Sequence, residues 1–239
     1  MTVPAHFWIL SPADIAALCW LFAAWAGIGY LTENPPKRYP SVTTLTVHYR
    51  HEWMRQFITR QPRIFDSAIL QTLREGPTFF ASASMIAIGG GLALVGNPER
   101  LRQVAGELEL ELGQAPTVLW QVKVITSLFF VANALLKFIW SHRLFGYCAI
   151  VMASVPNETD DPLVVSRAHQ AAEINVTAAK SFNIGLRSIY FSLAALGWLI
   201  GPLGLTITTS IVLILTWRRE FASHSRAVML RDLPYIRTD

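Results

Sequence analysis

Two apolar stretches, Val118 to Val155 and Pro162 to Ile200, dominate the pattern of hydrophobic and polar positions along the chain. Neither contains a strong helix breaker. Written as helix at 1.5 Å per residue, each would be about 55 Å long, well beyond the ~30 Å hydrocarbon core of a bilayer. Only the polar link Pro156–Asp161 separates them, so they are expected to fold back as an antiparallel hairpin. One half would lie in lipid and the other would project into the cytoplasm.

Ahead of this hairpin, Ser11-Pro12-Ala13-Asp14 reads as a capping box that starts an apolar helix reaching about Leu31. Asp14 is accordingly assigned a capping role and not an ion-binding one. Residues 37–76 are basic and amphipathic, with Leu45, Tyr49, Trp53 and Phe57 recurring at helical spacing and a break at Pro62. This segment is expected at the inner membrane surface or against the projecting hairpin, anchored by Trp53 and Phe57. A second span, 77–95, is rich in small residues. Ala83, Ala87 and Gly91 fall at i, i+4, i+8, which predicts close helix packing inside the bundle. After Asn97-Pro98-Glu99, the stripe Leu101, Val104, Ala105, Leu108, Leu112 predicts a short helix on the outer face.

The third span, 118–141 with its extension to 155, carries Lys123 near its start, where it is expected to snorkel to the outer interface. Asn133 lies about 20 Å deep by helical rise and should face other helices. Lys137, Trp140, His142 and Arg143 mark the inner exit. The return helix carries His169, Glu173, Lys180, Asn183 and Arg187, and turns wholly apolar only after Arg187.

From Ile189 to Trp217 the chain is uncharged but interrupted at Gly201-Pro202-Leu203-Gly204. Either one kinked span or two short ones, 183–200 and 203–217, would fit. The positive-inside rule favours two: sixteen of the twenty Lys and Arg then fall on one side, seven in 37–76, four in 142–187 and five in the tail 218–239. The expected architecture is therefore all-α, a polytopic transmembrane helical bundle of four to five passes forming a single membrane domain over 1–239. Its N-terminus would be periplasmic and its C-terminus cytoplasmic, in a bacterial inner membrane.

Composition agrees with this. Of 239 residues, 52% are apolar and only 15% charged, and the net charge of +4 comes from arginines flanking the apolar runs. That pattern suits anionic headgroups, and the absence of a basic ladder with interleaved aromatics argues against nucleic acid. Cys19 and Cys148 fall at different depths and are not expected to pair. No basic n-region precedes the first apolar segment, so an uncleaved span is expected instead of a signal peptide.

No catalytic constellation is legible. His48, His51 and Glu52 share one helix face, but no third strong partner is identifiable in that segment, so no metal or other cofactor is expected. His169 and Glu173 read as a solvated or packing pair. No histidine lies deep in a span, and no GxSxG, HExxH or phosphate-loop pattern occurs. Asn175-Val176-Thr177 matches a glycosylation sequon but falls on the side expected to be cytoplasmic.

Gln71-Thr72-Leu73-Arg74 leading into the small-residue span, Arg143-Leu144-Phe145 leading to Ala153-Ser154-Val155-Pro156, and Arg187-Ser188-Ile189-Tyr190-Phe191 before Trp198-Leu199-Ile200-Gly201-Pro202 together resemble a family of bacterial and plant integral membrane proteins known only as a domain of unknown function. The resemblance covers about residues 10–220. It implies a multi-pass helical protein, usually drawn with four passes, and carries over no catalytic residue.

Two functions are expected from these readings. The first is a non-enzymatic membrane scaffold or accessory subunit. It would self-associate or dock to a larger membrane complex through small-residue faces and interfacial helices. Ala83, Ala87, Gly91, Gly197 and Gly201 are the helix-packing positions, and the Gly197–Gly201 face would serve either packing within the chain or association with a partner. The second is a transporter, channel or lipid- or small-anion-binding protein. It would use an inner-leaflet polar line of Asn133, Lys137, Lys180, Asn183 and Arg187, since intramembrane polar groups are costly and often mark a ligand. The bland reading of that line is that its members snorkel or pair with Glu173 to lock the hairpin.

Overall fold

The structure is a computed structural model, and it describes residues 10–97, 100, 103 and 116–231. The expected surface helix over Leu101–Leu112 lies outside the described residues. Helices α1 (Pro12–Glu33), α2 (Val42–Thr59), α3 (Ile64–Val95), α4 (Thr117–Ala153), α5 (Leu163–Leu196), α6 (Pro202–Phe221) and α7 (His224–Met229) follow in order, with a 3₁₀ turn at Gly197–Ile200 between α5 and α6. The described residues contain no strand. Among the described residues, four segments are long and apolar enough to cross a bilayer: α1, α3, α4, and α5 with its 3₁₀ turn. The protein is an all-α helical bundle with the character of a membrane protein.

The hairpin of α4 and α5 is the spine. Its seam repeats every seven residues: Ser127, Ala134, Ser141 and Cys148 on α4 with Val155 just past its end, and Val164, Ala171, Ala178, Gly185 and Ser192 on α5. All ten are buried. Small residues repeated every seven keep one face of each helix turned to its partner and let the backbones come close. That closeness brings side chains within reach of the opposite carbonyls. Ser127 Oγ donates to Ser192 O at 2.9 Å and Ser141 Oγ to Ala178 O at 2.8 Å, while Cys148 Sγ lies 3.4 Å from Ala171 O. Seven residues forward on α4 are seven back on α5.

At Gly185 a Cβ would stand 2.6 Å from the Phe138 ring, so glycine is what admits that ring. Phe138 in turn stacks with Phe80 of α3, at a centroid distance of 5.4 Å.

Helix α3 starts at Ile64 and continues through Pro77, instead of opening at Gly76-Pro77. Proline removes one rung of the ladder, and Thr78 Oγ1 bonds the neighbouring Arg74 carbonyl at 2.9 Å. Gly76 lets the Phe182 ring approach, at 3.2 Å from where a Cβ would be. The apolar part of α3 is peripheral, with only 11% of its residues buried, whereas the small-residue pattern predicts an interior helix. Tertiary packing uses only one edge of it: a Cβ on Gly91 would meet Leu128 Cδ2 at 2.5 Å.

Helix α2 lies against the hairpin, its Met54 and Phe57 buried with Leu144, Phe145 and Cys148. The chain reverses at Gly201, whose φ of +118° and ψ of 175° suit only glycine. Helix α6 then runs back beside α1: Trp20 Nε1 donates to Ser210 Oγ at 3.2 Å, and Tyr39 OH to Phe221 O at 3.0 Å. The end of α6 thus returns to the end of the bundle that holds α2. A Cβ on Gly197 would lie 2.2 Å from Thr208 Oγ1, so this glycine lets α6 close on the turn, whereas nothing lies within 4 Å of a Cβ on Gly201.

Candidate functional site

Two polar clusters sit at opposite ends of the bundle. At the Gly201 end, Ser11 and Asp14 form the reciprocal capping box the sequence predicts. The second oxygen of Asp14 accepts from Trp198 Nε1 at 2.7 Å, so the cap also fastens α1 to the 3₁₀ turn. Lys123 does not snorkel. It is buried, with Nζ 4.9 Å from the Trp120 ring centre and 5.9 Å from that of Trp198. Two indole faces and the nearby Asp14 charge compensate the desolvated ammonium.

At the other end, the expected polar line divides. Asn133 Oδ1 accepts from Ser188 Oγ at 3.0 Å, within the hairpin. Lys180 and Arg187 reach not to Glu173 but to Glu33, the last residue of α1, at 2.9 and 2.5 Å. Arg187 is buried, so its guanidinium needs this partner. Asn183 lines a small cavity of about 80 Å³ together with Glu33, Thr43, Arg50 and Lys180. Lys137 makes no hydrogen bond or ion pair among the described residues and stays outside this group.

Three features were not expected from sequence. Glu33 reads as a helix end, and nothing local announces that it closes on residues about 150 positions later. Arg50 donates to Asn175 Oδ1, and Asn175 Nδ2 lies 3.6 Å from Cys148 Sγ. Burial lowers the Arg50 pKa from its usual value. Asn175, the sequon asparagine, is fully buried and occupied in this way. Finally, His51 of α2 meets His169 and Glu173 of α5. None of the three has a local sequence signal, because each joins residues of different helices.

A further cleft of about 610 Å³ opens between α2, α3 and α4, lined by Phe57, Leu70 and Met152 with Arg63, Gln71 and Arg74. Arg63 donates to the Val155 and Pro156 carbonyls at 2.8 and 2.9 Å and stacks over Phe57. The Nε atoms of Arg63 and Arg74 are buried without a partner, and neither arginine meets a carboxylate among the described residues. An apolar groove of about 670 Å³ runs between α3, α4 and α5, floored by Ala83, Ala87, Gly90 and Gly91 and walled by Leu128, Val131 and Leu193.

Spanning helices around an antiparallel spine define a polytopic helical membrane protein. The chain belongs to the family described as Protein of unknown function, DUF599, whose model matches residues 16–225. No curated protein and no solved structure matches it.

Proposed function

We propose that the protein is an integral membrane scaffold or accessory subunit that self-associates or docks to a larger membrane complex without catalysing a reaction. In this reading it sits in a bacterial inner membrane with five passes, N-terminus periplasmic and the α2 end cytoplasmic. The gathering of basic residues toward that end supports the orientation.

The observation that carries the proposal is the groove beside α3. Ala83 and Ala87 are exposed on it, one turn apart, with Gly90 beyond. A floor of small residues lets another helix backbone approach closely in lipid, where van der Waals packing drives association. The occupant is the α3 face of a second copy, because a two-fold pairing makes that stripe self-complementary. Gly197 and Gly201 then serve the fold of the chain itself.

Disulfide cross-linking tests this. In a Cys19→Ser background, Ala87→Cys should trap a dimer in membranes on mild oxidation, and adding Ala83→Leu should abolish it. A monomer at every oxidant level, with Ala87→Cys shown to be labelled by a thiol reagent, would sink self-association through α3.

The second reading is a transporter, channel or lipid- or small-anion-binding protein using Asn133, Lys137, Lys180, Asn183 and Arg187. The neutralisation of Lys180 and Arg187 by Glu33 weakens that line as an anion site. The Arg63 and Arg74 cleft supplies cations without carboxylate partners at the same end, beside apolar walls that suit an acyl chain. Flotation with anionic against neutral vesicles, comparing the chain with its Arg74→Gln variant, would separate this reading from the first.

A further inference from the structure

We infer that His51, His169 and Glu173 form a binding site for one divalent transition-metal ion of the zinc class. His169 and Glu173 are one turn apart on α5 and project from one face. His51 comes from α2, and its place opposite them is set by the burial of Leu45, Met54 and Phe57 on either side of it along the helix. Two helices therefore deliver three ligands to one point.

The geometry is that of a coordination shell more than of a hydrogen-bonded cluster. One atom, Glu173 Oε1, lies 3.2 Å from His51 Nε2 and 3.9 Å from His169 Nε2. The ligand atoms of the three residues all fall within 4.8 Å of one another, and the two imidazole centres are 5.5 Å apart. Ligands held ~2.1 Å from a tetrahedral centre are separated by about 3.4 Å, so the shorter distance already fits and the longer one closes with a small side-chain rotation. At 3.9 Å the His169–Glu173 approach is too long for a hydrogen bond.

Two imidazoles and a carboxylate suit zinc and its neighbours, and not magnesium or calcium, which take oxygen shells. Three protein ligands leave a position for water, and side-chain exposures of 56% for Glu173 and 67% for His169 give the ion access. Because the ligands come from α2 and α5, the ion would clamp the basic helix onto the hairpin. No single stretch of sequence contains the site, because His51 lies on α2 and His169 and Glu173 lie on α5.

The test uses tag-free full-length protein in mild detergent, stripped with chelator and titrated with zinc chloride by calorimetry, with Tm followed in parallel. One zinc per chain should bind at micromolar Kd or tighter and raise Tm, whereas magnesium should do neither. His169→Ala and Glu173→Gln each remove a ligand and should weaken zinc binding by more than the ~10- to 100-fold that loss of a second-shell partner costs. The metal-free Tm of His169→Ala should stay nearly unchanged, because that exposed ring makes no hydrogen bond among the described residues. Absence of zinc binding, or binding that survives both substitutions, overturns the site. A Tm insensitive to zinc in a protein that does bind it overturns the clamp.

Discussion

Arg187 Nη2 and Glu33 Oε1 lie 2.5 Å apart and join the middle of α5 to the last residue of α1. Arg187 is only 9% exposed while Lys180, the other partner of Glu33, is 51% exposed. The two cations should therefore differ in worth. Glu33→Gln should destabilise the bundle by about 2 kcal/mol, since it leaves a buried guanidinium uncompensated. Lys180→Ala should cost no more than ~0.5–1 kcal/mol. Thermal unfolding in detergent, with a double-mutant cycle over Glu33 and Arg187, measures both.

The hairpin seam should tolerate loss of a hydrogen bond far better than gain of volume. Ser141→Ala removes one bond to the Ala178 carbonyl and should cost ~0.6 kcal/mol, the average for such bonds in membranes. Ala178→Leu forces a branched side chain between closely approaching backbones and should cost about 2 kcal/mol or more. If the two variants melt alike, the small-residue register does not control the packing.

The reversal at Gly201 rests on a backbone conformation open to glycine alone. Gly201→Ala should cost about 1–3 kcal/mol even though a Cβ there has free space around it. Gly204→Ala would strain differently, since its Cβ would stand 2.4 Å from the Gly197 carbonyl oxygen. Comparing their melting points, and protease access to the turn, separates a conformational requirement from a packing one.

Asn175 gives Arg50 its acceptor in the core of the α2 end. Asn175→Ala should lose about 1.5–3 kcal/mol, the worth of a hydrogen bond to a charged group. Asn175→Asp should recover part of that by pairing the guanidinium directly. Urea or thermal denaturation of the three forms checks the order, and a fully stable alanine variant would contradict it.

Sequence alone determined whatever depends on residues close along the chain. Hydropathy and length placed α1, α4 and α5 because the cost of bare backbone in lipid permits little but helix there. The Ser11–Asp14 box was legible because a cap and its reciprocal partner are three residues apart. The hairpin followed from two long apolar runs with one short polar link. Even the register was present in outline, since Ser127, Ala134, Ser141, Cys148 and Val155 step by sevens.

Tertiary structure decided which long-range partners the charges found. Glu33 could have faced solvent, and Lys123 could have reached it; the first closes on Lys180 and Arg187, and the second is buried between Trp120 and Trp198. Small residues at Ala83 and Ala87 announced close packing without saying against what, and within the chain that face is left open. His51 met His169 and Glu173 only because α2 docks on α5. Periodicity encodes which face of a helix is apolar. The partner of each polar group depends on how those faces dock, and no local pattern records that.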